Sequence, residues 1–283
     1  MLEVCAEKVG NVTPSRRFAD ACFEDFVAGA MALGPAIAIA VPSRVGWAVY
    51  QAVAAARRVT ATNTHLGVAL LLSPLAAAWR EGGPGTLRKR LAAVLRGLSV
   101  DDARWAYRAI RLANPGGLES SDQADVRRPP DITLRQAMAL AASRDAIAAE
   151  YVHDFALTFR VALPALRRAM GHGLRPLQAI VQAHLEILAH GPDTLIARKA
   201  GAATAAAVSA RARAVLRVGG VRTPKGRAAL QRLDRRLRAE GSRLNPGTSA
   251  DLVAAALFLW LLEGAGRRPG QDLAMRVRGH HGR

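Results

Sequence analysis

Cysteine is nearly absent. The 283-residue chain has two, Cys5 and Cys22, and neither lies in a CxxC or CxxH pattern. That excludes a disulfide-stapled fold and a zinc module of ordinary spacing. Free thiols in a reducing compartment are expected. Aromatic residues make up only 5% of the chain, which removes the stacking platforms that single-stranded nucleic-acid binders rely on. No stretch alternates apolar and polar residues as a half-buried strand does. There is no GxGxxG after a strand, no GxxxxGKS/T loop and no GxSxG, so Rossmann, Walker and nucleophile-elbow sites are excluded. No signal peptide is visible, because the first residues are acidic rather than basic. Met1 to Lys8 reads as the second half of a helix, so a clipped start is expected.

Hydrophobic residues, by contrast, make up 51% of the chain. Ala, Leu and Arg dominate, a mixture that favours helix over strand. The formal net charge is +18. Such a surplus suits polyanions: nucleic acid, an anionic membrane or phosphorylated small molecules. An Arg-rich composition also follows from genome base composition alone. The uncharged run "FVAGAMALGPAIAIAVP" (Phe26 to Pro42) is mostly Ala and Gly and contains Pro35. It is expected to be a buried helix rather than a membrane span, and no membrane partner is expected.

Helical periodicity recurs with clear start and stop signals. Helices are expected from Phe23 to about Val41, Ser43 to Val59, Leu66 to Glu81 (kinked at Pro74) and Leu87 to Leu98. Ser99-Val-Asp-Asp102 is a capping box that starts a helix ending near Ala113. Residues 114–130 form a loop in which Gly116-Gly117 make a helix-ending turn. Thr133 to Met170 is a long helical stretch, kinked or split at Pro164. Leu177 to His190 follows, and then a helix capped by Asp193 that runs to about Val218. Thr223-Pro224 pairs an N-cap with a proline at the first helical position. A final apolar helix covers Leu252 to Leu262. The expected fold class is all-α, a single compact bundle of roughly ten helices over residues 1–266. Residues 267–283 are expected to be a basic, disordered tail.

Five stretches place Gly, Asn, Thr and charge beside apolar helices: "EKVGNVTP" from Glu7, "FEDF" from Phe23, "TNTHLG" from Thr62, "PDTLIARK" from Pro192 and "LNPGTSADL" from Leu244. Helix starts carry four backbone donors without intrahelical partners and a favourable dipole, so they attract anions. Glycine permits close approach to a ligand. Each stretch also has a plainer structural reading. Asp193 and Thr248 suit N-caps, and Asp251 suits the acid of a capping box. His65 suits a hydrogen-bonded structural histidine, and Glu24 and Asp25 suit a solvated helix start. Arg144 and Asp145 are harder to dismiss, because charges within an Ala-rich helix need a partner or a ligand. The arginines from Arg211 to Arg243 read as a solvated face; without aromatics or a recognition helix, nucleic-acid binding is not expected. His280 and His281 have no companions at metal-ligand spacing.

In this order, the motifs resemble those of the triphosphoribosyl-dephospho-CoA synthase family. Lys8-Val9-Gly10-Asn11-Val12, Thr62 to Gly67, Pro192 to Gly201 and Leu244 to Leu252 each have a counterpart there. Val9 stands where proline is usual, and the segment from Tyr107 to Val152 marks a divergent branch. The resemblance implies an all-α transferase that moves the 5-triphosphoribosyl group of ATP to the ribose 2′-hydroxyl of dephospho-CoA and releases adenine. It implies a cytoplasmic enzyme that uses ATP with Mg²⁺; the +18 surface suits an acidic carrier protein as a partner, and a non-catalytic scaffold that binds one is a further alternative. The divergent branch points to a related acceptor in one-carbon (methanopterin-type) cofactor biosynthesis as the alternative. A basic nucleic-acid-binding helical protein is the alternative outside enzymes. Such chemistry needs carboxylates at an oxocarbenium-like centre and cations for a triphosphate. The candidate acids are Asp25, Asp145, Asp193 and Asp251, with Asp193 and Asp251 near the ribose or its metal and Asp25 or Asp145 as base. The candidate substrate-binding residues are Lys8, Gly10 and Asn11; Asn63, Thr64, His65 and Gly67; Arg144, Arg198 and Lys199; and Asn245, Gly247 and Thr248.

Overall fold

Short polar caps start several of the helices. Ser99 Oγ accepts from the Asp102 amide at 3.1 Å, and the Asp102 carboxylate accepts from the Ser99 amide at 2.9 Å. Thr133 and Thr223 accept in the same way from the amides of Gln136 and Gly226. Each such cap stabilises its helix by about 1 kcal/mol. In the computed structural model, which describes residues 1–115 and 125–266, these starts belong to a run of thirteen α-helices. They begin with α1 (Phe23–Ala38), α2 (Val45–Val59), α3 (Leu66–Glu81), α4 (Leu87–Arg96) and α5 (Val100–Ala113). After them come α6 (Leu134–Ala141), α7 (Ala146–Val152), α8 (Leu163–Gly171) and α9 (Pro176–His190). The chain ends with α10 (Thr194–Ala200), α11 (Ala202–Arg217), α12 (Pro224–Arg238) and α13 (Gly247–Gly266). Among the described residues there is no strand, only two isolated bridges in the turns at Thr13–Arg16 and Phe18–Ala21. The expected turn at Gly116-Gly117, the tail 267–283 and the pair His280-His281 lie outside the described residues.

The long stretch from Thr133 to Met170, expected to be kinked or split only at Pro164, is divided into three helices. Asp145 accepts from the amides of Ile147 and Ala148 and so starts α7 afresh. Asp154 and Phe155 then adopt left-handed backbone (φ 51° and 56°) and end it. The buried Glu150 carboxylate accepts from the amides of Leu157 and Thr158, both at 2.8 Å, and restarts the chain. One wide turn of π pitch, Thr158–Ala162, leads into α8, with Pro164 in its first turn. Helical backbone runs on from residue 156 to residue 171, and the wide turn immediately before Pro164 is the irregularity expected there. Gly201, at φ +88°, likewise separates α10 from α11 where a continuous helix was expected. Met1 to Ala6 forms turns rather than a helix, since only two local backbone bonds close there.

Pro74 lies inside α3, and the helix runs through it. A proline lacks the amide that would bond the carbonyl four residues earlier. That carbonyl, on Leu70, accepts instead from the hydroxyl of the fully buried Tyr151 at 2.7 Å. A long-range hydrogen bond from α7 thus replaces the missing local one.

Two apolar clusters make up the interior, and α9 supplies both. Ala179, Ile180, Ala183 and Ile187 join the larger cluster with α2, α3, α5 and α8. Leu185, Leu188 and Ala189 join the smaller one with α11 and α12. Alanines let the helices approach closely. Gly46, at the start of α2, is the extreme case: a Cβ there would lie 2.1 Å from the Asp102 carbonyl oxygen. Its amide donates to Asp102 Oδ1 at 2.8 Å, so one buried acid joins α2 to the start of α5. By length and composition α13 could cross a membrane. Here Leu252, Val253, Ala255, Ala256, Leu257 and Leu259 are buried in the larger cluster, so it serves as a core helix.

Tyr151→Phe is expected to leave the Leu70 carbonyl buried without a donor and to cost about 1–3 kcal/mol in urea unfolding. Gly46→Ala forces α2 and α5 apart and should cost at least as much. A melting temperature unchanged by either substitution would contradict this account of the packing.

Candidate active site

The polar helix ends converge on one cleft of about 1260 Å³. This exceeds the roughly 300–1,000 Å³ of a single-ligand pocket. Five elements make its polar walls. The N-terminal segment contributes Glu3, Lys8 and Asn11, and the loop before α3 contributes Asn63, Thr64, His65 and Gly67. The turn into α7 supplies Arg144 and Asp145. The last turn of α10 supplies Arg198 and Lys199, and the first turns of α13 with the residues just before it supply Asn245, Gly247, Thr248 and Asp251. Asp25, Asp193 and Gly10 are outside this lining.

Asp193 is 3% exposed and saturated. Its Oδ1 accepts from the amides of Leu195 and Ile196, and its Oδ2 from the amide and hydroxyl of Ser249 at 2.8 Å each. A carboxylate has about four acceptor positions, and all are taken. Burial pushes the carboxyl above its usual range, against the pull of these four donors. Asp193 therefore fastens the start of α10 to the start of α13, and this is a positioning role. Beside it, the hydroxyls of Thr194 and Thr248 lie 3.1 Å apart, and Thr194 Oγ1 accepts from the Ala146 amide at 3.3 Å. Thr248 is thus a tie within the first turn of α13, not its cap.

Asp251 is the opposite case. Among the described contacts its carboxyl has no hydrogen bond and no ion pair, and it keeps partial exposure to the cleft. It takes no part in a capping box, because α13 already begins at Gly247. Its carboxyl is held well above the usual range. Burial is the largest cause, followed by the carboxylates of Glu3, Asp193 and Asp145, with Arg198 opposing. Gly67 makes room for it: a Cβ at Gly67 would lie 2.0 Å from Asp251 Oδ2.

The remaining acids divide clearly. Asp145 caps α7 through Oδ1 and pairs with Arg198 Nη1 through Oδ2 at 3.3 Å. Asp25 belongs to a neighbouring shallow depression with Asp20 and Cys22. It accepts from the Cys22 amide at 3.0 Å and from Thr60 Oγ1 at 2.9 Å, bonds that help hold its carboxyl below the usual range. Among the cations, Lys8 is 2% exposed, and its ammonium is spent on the Glu3 carbonyl and carboxylate and the Ala6 carbonyl. Arg144 is exposed in the cleft with no ion pair among the described contacts. Burial pushes the Lys199 ammonium down from its usual value. The expected amide donors are largely taken. Gly10, in left-handed backbone at φ +70°, donates to Asp234 Oδ1 at 2.8 Å and so docks the N-terminal segment on α12.

His65 is 5% exposed, and its Nδ1 lies 2.6 Å from Thr64 Oγ1. Burial, with the N-terminal ammonium, lowers its pKa to about 4, so the ring is neutral at physiological pH. Asn11 Nδ2 donates to Asn245 Oδ1 at 2.6 Å. Asn11 Oδ1 and His65 Nε2 are buried in the lining without a partner. Among the described residues no three His, Cys, Asp or Glu side chains group as a metal site.

Sequence reasoning missed Glu3, whose carboxylate lies 3.0 Å from Lys8 Nζ and raises the Asp251 carboxyl. It also missed the apolar wall from α5 and α6, whose helical stripes look like ordinary core. Behind the site, His184 of α9 is fully buried near the Pro246 backbone. Burial, and then Lys8, lowers its pKa to about 3.

Residues 1–269 match the family described as CitG, ATP:dephospho-CoA triphosphoribosyl transferase. A protein of Pseudomonas paraeruginosa assigned as a 2-(5''-triphosphoribosyl)-3'-dephosphocoenzyme-A synthase is 41% identical over 105 residues, 37% of this chain and 35% of that protein. One from Stutzerimonas stutzeri, assigned alike, is 32% identical over 214 residues, 75% of this chain and 65% of its own length. The match thus spans about a third of the first relative. A crystal structure from Archaeoglobus fulgidus, assigned as a triphosphoribosyl-dephospho-CoA synthase, superposes with a TM-score of 0.63 at 26% identity, covering 84% of this chain and 99% of the other.

Gly67→Ala should displace Asp251 and abolish ligand-dependent chemistry while the melting temperature shifts little; retained turnover would show that the Asp251 position is not needed. A histidine with a depressed folded pKa binds its proton more readily when unfolded. The contribution of His184 is therefore complete above about 6.5 and declines as pH falls toward about 3. Urea melts of His184→Leu should vary less steeply with pH than wild type over this window, by up to about 1.4 kcal/mol per pH unit. Parallel slopes would remove His184 as a source of acid sensitivity.

Proposed function

Because the chain belongs to the ATP:dephospho-CoA triphosphoribosyl transferase family, we propose that it moves the 5-triphosphoribosyl group of ATP to the ribose 2′-hydroxyl of dephospho-CoA, with release of adenine. In this reaction the bond from C1′ of ATP to the adenine nitrogen breaks, and a bond from C1′ to the acceptor oxygen forms. The hydroxyl proton goes to a carboxylate, and adenine leaves with a proton from an acid. Two carboxyls in contrasting environments are what such chemistry needs.

The observation that carries this reading is Asp251, a carboxyl with a raised pKa and no hydrogen bond or ion pair among the described contacts, in the same cleft as Arg144, Arg198 and Lys199. Asp251 is the proton donor to adenine. Asp145, ion-paired with Arg198, is the base, a role that Asp25 lacks because it lies outside the cleft. Arg144, Arg198 and Lys199 receive the triphosphate. Mg²⁺ enters as the counter-ion of the triphosphate. Asp193 has no free oxygen for it, and nucleotide-bound Mg²⁺ needs only one or two protein carboxylates beside phosphate and water. The exposed arginines of α12, Arg232, Arg235 and Arg236, suit an acidic carrier protein as a further partner. A cytoplasmic location suits substrates such as ATP and dephospho-CoA.

Incubation with ATP and dephospho-CoA should give free adenine and a triphosphoribosyl adduct by mass spectrometry. Adenine without that adduct assigns a different acceptor, and neither product overturns the reading. Asp251→Asn should lower kcat about 10²–10⁴-fold with an unchanged melting temperature, whereas Asp25→Asn should keep wild-type turnover. Wild-type kcat should fall as pH rises through the raised Asp251 pKa, since the acid must hold its proton. Wild-type turnover in Asp251→Asn would exclude it as the acid.

A further inference from the structure

Beyond the polar walls the cleft continues as an apolar limb. On α6, Leu134, Ala137, Met138 and Ala141 line it at i, i+3, i+4 and i+7, one face of the helix. Ile110 of α5 and Leu70 of α3 add to it, and Tyr107, Asn114 and Asp125 are also in the lining. In a folded domain such a stripe ordinarily packs on another helix; here part of it faces the cavity. The limb is continuous with the polar end, because Ile147, which also lines the cleft, would meet a Cβ at Gly67 at 2.7 Å, beside Asp251.

Resting on the reaction proposed above, we infer that this limb between α5 and α6 binds the thiol-ended, amide-linked arm of the acceptor. Chemistry singles out that occupant. ATP is a base, a ribose and three phosphates, and the polar walls suit all of it. The acceptor has a nucleotide half of the same kind, and it also carries a long chain with a branched dimethyl carbon and methylene pairs. That chain is the one substrate part with enough apolar surface to cover a wall of Leu, Ile, Met and Ala. The size of the cleft, about 1260 Å³, accommodates two nucleotides only if they share one continuous space. Burial of even two methylenes in the limb strengthens binding about tenfold. Ala137 and Met138 are then specificity-determining residues, and they take no part in bond making.

The test compares dephospho-CoA with ADP, its nucleotide half without the arm, by calorimetry on the full chain. Wild type should bind dephospho-CoA at least about tenfold more tightly than ADP. Ala137→Trp, which fills the limb, should erase that difference while leaving the affinities for ADP and ATP and the melting temperature unchanged. Ala141→Phe is the second variant should Ala137→Trp unfold. Equal binding of the two ligands by wild type, with the adduct still formed, overturns the limb and leaves the reaction standing. A persistent preference in both folded variants also overturns it. Absence of both dephospho-CoA binding and adduct overturns the acceptor and the limb together.

Discussion

The four hydrogen bonds of Asp193 are the constraint on which the rest of the site depends. One buried carboxylate satisfies the first amides of α10 and a first-turn amide and hydroxyl of α13. Two helix starts that would each attract an anion are closed against one another. Their outward faces are thereby fixed: Arg198 and Lys199 from one helix, Asp251 from the other. Loss of this acid would leave buried donors unmet in two helices at once, which is costlier than loss of an exposed cap.

Asp251 acquires its character from that arrangement. A carboxyl enclosed near Glu3, Asp193 and Asp145 is disfavoured as an anion. Asp145 instead has the Arg198 guanidinium at 3.3 Å. The cleft therefore holds two carboxyls whose surroundings differ, in one space with unpaired cationic groups. Neither Asp25 nor Lys8 shares this condition, because each has its hydrogen-bonding capacity committed elsewhere.

Missing side-chain atoms matter as much as the charges. Gly67 leaves room for the Asp251 carboxyl, and Gly46 lets α2 lie against the backbone of α5. Pro74 leaves a carbonyl that only Tyr151 reaches. Each case couples a local backbone property to a partner distant in the chain. The same few contacts therefore support both the bundle and the cleft.

Helix content, most helix starts and the five polar stretches were legible from residue order alone. Periodicity, Thr and Ser caps and proline position are local signals, and helices are stabilised locally enough to show them. The breaks at Asp145 and Gly201 were not legible, because Ala-rich sequence permits helix on both sides and tertiary contacts choose the gap. The site divided in the same way. Its residue types were readable, yet Asp193 and Asp251 looked alike as acids near helix starts. Only the packing of α10 on α13 gave one of them four donors and the other none. Which groups carry a proton, which merely hold helices together, and which apolar stripe faces a ligand depend on distances between segments far apart in the chain. Those distances are decided by the bundle and not by any single helix.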